Sequence, residues 1–594
     1  MSLSRILPTL LLTAIAAAAG LAQPVGAPVL PVGELKPGQK GEVWTVFKGS
    51  QPEPFAVQVT GIVQNALGPG KDLILCELTD PRVQNMGAVA GMSGSPLYID
   101  GKIVGVLSYQ IQRFETVRYA GFTPISDMLE VSALPTPLTP PGVPLPIPVK
   151  GARDGRSTLA NSAQPEMRAL APVFSVSGLT PSVAALLEPQ LQSLGVSFTS
   201  LGGNASGSTG AGPEIPAPVA LKPGDVVAAA LAVGDISIAA TGTVSHVDGQ
   251  RVLAFGHPML SLGATELPMT AAEVVTILPS QFNSIKVSNT GPVIGAFSQD
   301  RLSGVYGELG RQPHLVPVDI ELPARLNRKA LHFSVVRQEQ ILPVIAATGI
   351  AQAVTGSNES GLTNGFRLTT TVEFPGEAPL QFTQVYPGPQ GFNQGINEFV
   401  GNLQQWLFNP YERTFPEHIR FAVEETPDVP IGYVDNLQLS RAETAPGSEI
   451  TVSLNWHGFQ QTGVAETIAI AVPAEWAGKN LEVVLATGPM LDELTGRPKA
   501  VPVTRLRNFD EYLNALRARR ATDGLYLAVV ERTKLFSDQQ TLTPEMPGSL
   551  ERIARGADEV RYQRREAATP LWETRLIAGR LFNAQVRRPL TVTD

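Results

Sequence analysis

Gly91-Met92-Ser93-Gly94-Ser95-Pro96, followed without a break by Leu97-Tyr98-Ile99-Asp100-Gly101-Lys102-Ile103-Val104-Gly105-Val106-Leu107, is the stretch that decides how this chain folds. Apolar runs on either side of Asp100-Gly101 predict a β-hairpin, because that dipeptide suits a two-residue turn. Glycine precedes and follows Ser93 in the turn ahead of the hairpin. It tolerates the cramped backbone that aims the N–H groups of Gly91 and Ser93 at one point and exposes the Ser93 hydroxyl, while Pro96 closes the loop. Such converging donors can form an oxyanion hole; the same six residues also suit an ordinary Gly/Ser turn between strands.

Outward from this turn the β pattern continues from Val32 to about Leu129, with alternation in Phe55-Ala56-Val57-Gln58-Val59 and an apolar run in Leu73-Ile74-Leu75-Cys76. It stops at a proline-dense connector, Pro135 to Pro148, and resumes from Leu221 to about Pro343 after a Gly/Ser/Pro stretch. Leu35-Lys36-Pro37-Gly38 recurs as Leu221-Lys222-Pro223-Gly224, an echo that marks a duplicated β unit or a coincidence of four residues. The 56 glycines and 51 prolines among 594 residues, without a collagen period, fit many turns between short strands. The expected organisation is a signal peptide (1–22), a β-barrel half with the serine motif (31–133), a Pro-rich linker (134–150), a small bridging element (151–200), a Gly/Ser/Pro linker (201–219), a β-barrel half with the histidine motif (220–345) and a C-terminal α+β region (346–594). In that last region Ile396, Phe399, Val400, Leu403 and Leu407 predict a helix stopped by Pro410, and Asn508 with Glu511 a second helix start.

Composition removes several classes of function. A net charge of −8, from 45 basic and 53 acidic residues without a basic run, disfavours nucleic acid as a partner. Cys76, the single cysteine, cannot form an internal disulfide, and six histidines without metal-ligand spacing give no zinc site. No phosphate-cradling glycine loop is present, so no cofactor is expected. Arg5, the apolar run from Ile6 to Ala19 and small residues at Gly20 and Ala22 predict an export signal cleaved near Gln23. No later stretch is long and apolar enough to span a membrane as a helix, so the expected location is outside the cytoplasm: periplasmic, envelope-associated or secreted.

A serine hydroxyl needs a neighbouring base to become a nucleophile. His257 is the leading candidate, because Leu253-Ala254-Phe255-Gly256-His257-Pro258 runs an apolar strand into a turn that predicts an imidazole on a cleft rim. His246, in mid-strand beside Asp248-Gly249, comes next.

Three stretches resemble the SpoIVB-type serine peptidases of bacterial sporulation and their wider bacterial relatives. They are Thr79-Asp80-Pro81-Arg82 through the Gly91 to Pro96 turn and its hairpin; Gly242-Thr243-Val244 through Leu253-Ala254-Phe255-Gly256-His257; and Ile294-Gly295-Ala296-Phe297 through Gly304-Val305-Tyr306-Gly307-Glu308-Leu309. The resemblance implies two chymotrypsin-like β-barrel halves in a mainly β protein, here followed by a β-rich C-terminal region with a few helices. It implies a serine endopeptidase with Ser93 as nucleophile, His257 as general base, Asp80 as the acid that orients the imidazolium, and the N–H groups of Gly91 and Ser93 as oxyanion hole. Asp248 is a reserve acid. In the sporulation enzymes the histidine stretch comes first, whereas here Ser93 precedes His257, as if the halves were permuted. The implied partner is a protein or peptide substrate, the chain itself among the candidates. The alternative from another class is a catalytically silent relative acting as a secreted or envelope scaffold for protein partners. Small uncharged residues before Ser93, Gly87-Ala88-Val89-Ala90, point to a specificity pocket without a fixed charge.

Overall fold

A computed structural model describes residues 23–24, 26–112, 117–135, 166–170, 172–194, 196–199, 203–204, 220–280, 283–323, 330–356, 362–412, 414–496, 506–537, 542–543, 549, 552 and 563–593. The expected signal segment, most of both expected linkers and the first part of the expected bridging element lie outside these residues. The chain is mainly β and divides into two compact units. One comprises Met1–Thr139, Pro148–Leu315 and Phe333–Arg337, the other Pro140–Ile147, Val316–His332 and Gln338–Asp594.

The first unit holds two closed barrels. Strands β1 (Lys40–Thr45), β2 (Glu53–Gly68), β3 (Lys71–Leu78), β4 (Pro96–Ile99), β5 (Lys102–Gln112) and β6 (Tyr119–Pro124) run β1-β2-β3-β6-β5-β4, and β4 pairs back onto β1. The alternation read from the sequence turns Phe55, Val57 and Val59 of β2 into the core, where each large apolar side chain is worth roughly 1.5–3 kcal/mol. Helix α1 (Pro81–Met86) lies in the β3–β4 connection and α2 (Ile125–Ser132) follows β6. A bridging stretch then supplies β7 (Glu166–Ala169), β8 (Val173–Ser177), α3 (Pro181–Ser193), β9 (Ser197–Thr199) and β10 (Gly203–Asn204). The second barrel consists of β11 (Val226–Gly234), β12 (Ser237–Asp248), β13 (Arg251–Ala254), β14 (Gly263–Leu278), β15 (Ile285–Arg301) and β16 (Gly304–Leu309), in the ring β11-β12-β13-β16-β15-β14 closed onto β11.

Strand for strand, the two rings have the same order. The four-residue echo lies at the same place in each, just before the first strand. Gly38 and Gly224 take φ of 90° and 91°, and their N–H groups donate to Val59 and Val244 of the second strand at 2.8 and 2.7 Å. The side chains of Gln39 and Asp225 then accept from the N–H of Lys36 and Lys222, at 2.7 and 2.8 Å. One turn chemistry thus opens both barrels. They join through an apolar cluster in which Trp44, Tyr98 and Val106 from the first barrel and Met128 from α2 meet Leu253 and Tyr306 from the second.

The second unit begins with β17 (Leu315–Glu321) and part of β18 (Ala330–Val336), whose later residues pair with β11. After α4 (Ile341–Thr355) come β19 (Phe366–Glu373), β20 (Leu380–Tyr386), α5 (Gly388–Leu407) and β21 (His418–Glu425), with β19 between β20 and β21. Of the stripe read from Ile396 to Leu407, Ile396, Phe399, Leu403 and Leu407 lie on the buried face of α5, with Val400 half-buried at its margin. Two further sheets follow. One contains β22 (Gly432–Leu439), β24 (Glu449–Gly458) and β25 (Val464–Ala471); the other contains β23 (Glu443–Thr444), β26 (Asn480–Thr487), β27 (Gly524–Ser537), β28 (Leu542–Thr543), β29 (Gln563–Ala578) and β30 (Gln585–Val592). They share a core that includes Val452, Leu454, Val483, Leu485 and Leu527, as in a β-sandwich. Helices α6 (Gly488–Leu494) and α7 (Phe509–Arg517) complete the unit, and Asn508 caps α7 by accepting from the Glu511 N–H at 2.9 Å. Among the described residues, no helix is long and apolar enough to cross a membrane.

Candidate active site

Ser93 lies in the connection between the third and fourth strands of the first barrel. Gly91 and Gly94 on either side have φ of 97° and 93°, the left-handed backbone that glycine supplies without strain. Space excludes a side chain at Gly94 and leaves little room for one at Gly91. A Cβ on Gly94 would stand 2.2 Å from the Thr243 carbonyl, and one on Gly91 would meet the Lys286 stem at 3.0 Å. Two N–H groups hold the loop down: Met92 donates to Val89 at 2.9 Å and Gly94 to Leu107 at 2.8 Å. Among the described residues, the N–H groups of Gly91 and Ser93 have no backbone acceptor. The loop also docks on the second barrel, where Thr243 N–H donates to the Ser93 carbonyl at 2.9 Å and the Ser245 hydroxyl to the Gly94 carbonyl at 2.9 Å.

His257 lies in the corresponding connection of the second barrel, after its third strand. Phe255 takes φ of 71°, costly for a bulky residue, and Gly256 takes 68°. The Gly256 N–H bonds back to the Ala254 carbonyl at 2.9 Å, closing a three-residue turn that swings His257 towards the first barrel. There the Thr123 hydroxyl holds the Gly256 carbonyl at 2.8 Å, and a Cβ on Gly256 would stand 2.4 Å from the Ser108 hydroxyl. A strand-end turn predicts an imidazole on a rim. The ring is instead completely buried, because the docking of the two barrels and the chain at Leu170 enclose it.

The electrostatics of His257 follow from that burial. Desolvation lowers its pKa below the ordinary imidazole value; the Pro258 carbonyl, the Asp300 charge and the Leu170 backbone each act in the opposite direction. Nδ1 is 2.8 Å from the Pro258 carbonyl, which can only accept, so Nδ1 carries the proton. In a neutral ring Nε2 is then a bare lone pair. It is buried without a hydrogen-bond partner, so no hydrogen bond joins it to Ser93.

Of the acids expected from sequence, neither bonds to the imidazole. Asp80 caps α1 by accepting from the Arg82 N–H at 2.9 Å and pairs with the Arg82 guanidinium at 3.0 Å; that guanidinium holds its carboxyl below the usual range. Asp248 ends β12 opposite Arg251, and His246 lies on the same strand opposite Leu253. The carboxylate whose charge reaches His257 is Asp300, at the end of β15. Buried in the second barrel, it accepts from the N–H groups of Met259 at 2.7 Å, Leu260 at 2.8 Å and Leu262 at 3.0 Å, fixing the chain just after His257.

Two further residues at this site escaped the sequence reasoning. Lys286 is buried, its stem against Gly91 and its Nζ donating to the Thr45 hydroxyl at 2.9 Å; burial lowers its pKa to about 7. The signal was available, because Lys286, Ser288 and Thr290 alternate along β15 as a polar inward face. Leu170 is the other. Its N–H donates to the Ser108 carbonyl at 2.8 Å, beside the serine loop. Among the described residues, no group of three or more His, Cys, Asp or Glu side chains could hold a metal. Cys76 is buried in the first barrel, where desolvation pushes its thiol up to about 12 and keeps it unreactive.

Residues 22–128 match the SpoIVB peptidase S55 family. The match takes in all of the first barrel, Ser93 included, and ends within α2, before the second barrel begins. The family indicates a serine peptidase, a hydrolase whose substrates are proteins. Neither the curated proteins nor the solved structures contain a match to this chain.

Proposed function

We propose that this chain, a serine peptidase by its SpoIVB peptidase S55 sequence, is an endopeptidase that uses Ser93 as nucleophile and His257 as general base. The observation that carries this reading is a pair of complementary vacant groups in one compact unit. Among the described residues the N–H groups of Gly91 and of Ser93 itself have no backbone acceptor, and the bare Nε2 lone pair of His257 comes from the equivalent connection of the facing barrel. In the reaction Ser93 Oγ attacks the peptide carbonyl carbon while Nε2 takes its proton. The Gly91 and Ser93 N–H groups stabilise the oxyanion, and His257 returns the proton to the departing amine as the C–N bond breaks. Water, activated by the same imidazole, then hydrolyses the Ser93 ester. Asp300 is the positioning acid of this scheme: it orders the chain after His257, and its charge favours the imidazolium that forms.

The chain acts after export, the Arg5 to Ala22 segment serving as its signal; N-terminal sequencing of the mature protein should begin near Gln23. One observation favours the catalytically silent scaffold instead, namely the absence of a Ser93–His257 hydrogen bond. A fluorophosphonate probe separates the two, since only an activated serine reacts appreciably. The peptidase reading expects labelling of the mature protein that Ser93→Ala and His257→Ala abolish. Labelling that survives Ser93→Ala would place the reactive group elsewhere.

A further inference from the structure

One edge of β5 is shared by three segments in succession. β4 pairs with it from Lys102 to Val106. The serine loop comes next, with Leu107 N–H donating to Ser95 at 2.9 Å and its carbonyl accepting from Gly94 at 2.8 Å. The very next residue, Ser108, accepts from Leu170, and β7 continues antiparallel along the edge with Ala169 opposite Tyr109, Arg168 opposite Gln110, Met167 opposite Ile111 and Glu166 opposite Gln112. The strand therefore ends beside the Ser93 loop. The residue that follows it, Leu170, is fully buried in the same apolar cluster as Val89, Met92, Leu107 and Phe122, whereas Met167, three residues earlier, is exposed.

The polar end of Leu170 is as telling as its side chain. The Leu170 backbone lies close enough to His257 to act on its pKa, in the raising direction. A substrate poised for attack would turn its carbonyl oxygen towards the Gly91 and Ser93 N–H groups. Here the Leu170 N–H is held by the Ser108 carbonyl, and the two N–H groups have no backbone acceptor among the described residues.

On the reading of Ser93 and His257 as the reacting pair, we propose that the edge of β5 from Ser108 to Gln112 is the peptide-binding cleft, and that Glu166–Leu170 is its resident occupant, holding the peptidase latent. The cleft takes an extended chain as an added strand, with an uncharged aliphatic side chain of leucine size in the pocket beside Ser93. Release of the segment opens the pocket, lets Ser93 donate to Nε2, and exposes His257 to solvent. Occupancy by the chain's own strand is favoured because tethering gives it a high effective concentration, so modest intrinsic affinity suffices to fill the site.

The test uses the full mature chain, its Leu170→Asp variant, and a second variant with Met167, Arg168 and Ala169 all replaced by glycine, which leaves the buried leucine in place should the aspartate prevent folding. The probe is a fluorescent pentapeptide of the sequence Glu-Met-Arg-Ala-Leu, followed by anisotropy, together with the fluorophosphonate labelling rate. Both variants should bind the pentapeptide at least 10-fold more tightly than the wild type and label at least 10-fold faster; the same peptide ending in Asp should not bind. Peptide binding without labelling in any protein would keep the cleft and remove the peptidase reading beneath it. Equal labelling of wild type and folded variants, with no pentapeptide bound, would overturn the cleft assignment while leaving the reactive serine standing.

Discussion

The connection from third to fourth strand does different work in the two barrels. In the first it is the route from β3 to β4, carrying α1, two left-handed glycines and Ser93; in the second it is the route from β13 to β14, carrying the strained Phe255, Gly256 and His257. The scaffold around these two routes is the same ring of six strands, opened by the same Lys-Pro-Gly turn. The serine and histidine loops thus occupy equivalent positions of a repeated framework, each connection being docked on the other barrel.

The comparison breaks first at the acid. Asp300 belongs to the histidine barrel, next to the chain it orients, whereas Asp80 belongs to the serine barrel and is spent on Arg82 and on capping α1. Asp300→Asn should slow fluorophosphonate labelling by roughly 10²–10⁴-fold. Asp80→Asn should leave labelling within about twofold of wild type, and Asp80→Ala should cost about 1 kcal/mol of stability through the lost cap, read from denaturant melts. The opposite ranking would return the acid's role to the serine barrel.

Lys286 sharpens the comparison, because it is carried by the second barrel yet packs against Gly91 of the first. Burial lowers its pKa from 10.5 to about 7, so between those values the unfolded chain binds a proton that the folded one does not. Stability must then rise with pH across that window, by up to about 1.4 kcal/mol per pH unit. Lys286→Met should remove the rise. Equal slopes in parallel melts at pH 7, 8.5 and 10 would mean that the ammonium is solvated in the folded protein.

The smallest effect tests the repeat itself. Gly38→Ala and Gly224→Ala both force a left-handed alanine, at a cost of about 1–2 kcal/mol each. Gly224→Ala should cost somewhat more, since its new methyl would lie 3.3 Å from Trp44 and Pro52, while that of Gly38 has only the Gln58 amide at 3.8 Å. A neutral result at one site and a large loss at the other would show that the two turns are not mechanically equivalent.

Much of this was legible in the sequence, and for physical reasons. Alternation in β2, the Asp100-Gly101 turn between β4 and β5, and the repeated Lys-Pro-Gly turn are local signals, and each fixed a local structure. The glycines around Ser93 marked the serine loop for the same reason. Asp300 was missed because its meaning is not local. It sits 43 residues after His257, in a run that reads simply as a strand end before a tight hairpin, and only closure of β13 onto β16 and β15 brings it under the histidine loop. Leu170 was invisible for a similar reason. Nothing in Glu166-Met167-Arg168-Ala169-Leu170 distinguishes a strand that pairs with β5 from any other short segment of alternating charged and apolar residues. The expectation of a rim histidine failed because the turn was read without its neighbours; the facing barrel and Leu170 convert a strand end into a buried position.

If the two equivalent connections form one working unit, Ser93 and His257 must be coupled, and a double-mutant cycle on hydrolysis of a small activated ester reads that coupling, using Ser93→Ala, His257→Ala and the combined variant. Residues that act together lose nearly everything with the first substitution. The account predicts that each single variant falls by roughly 10³-fold or more and that the double variant is no slower than the slower single. Losses that multiply, or a His257→Ala variant that keeps its rate, would contradict it.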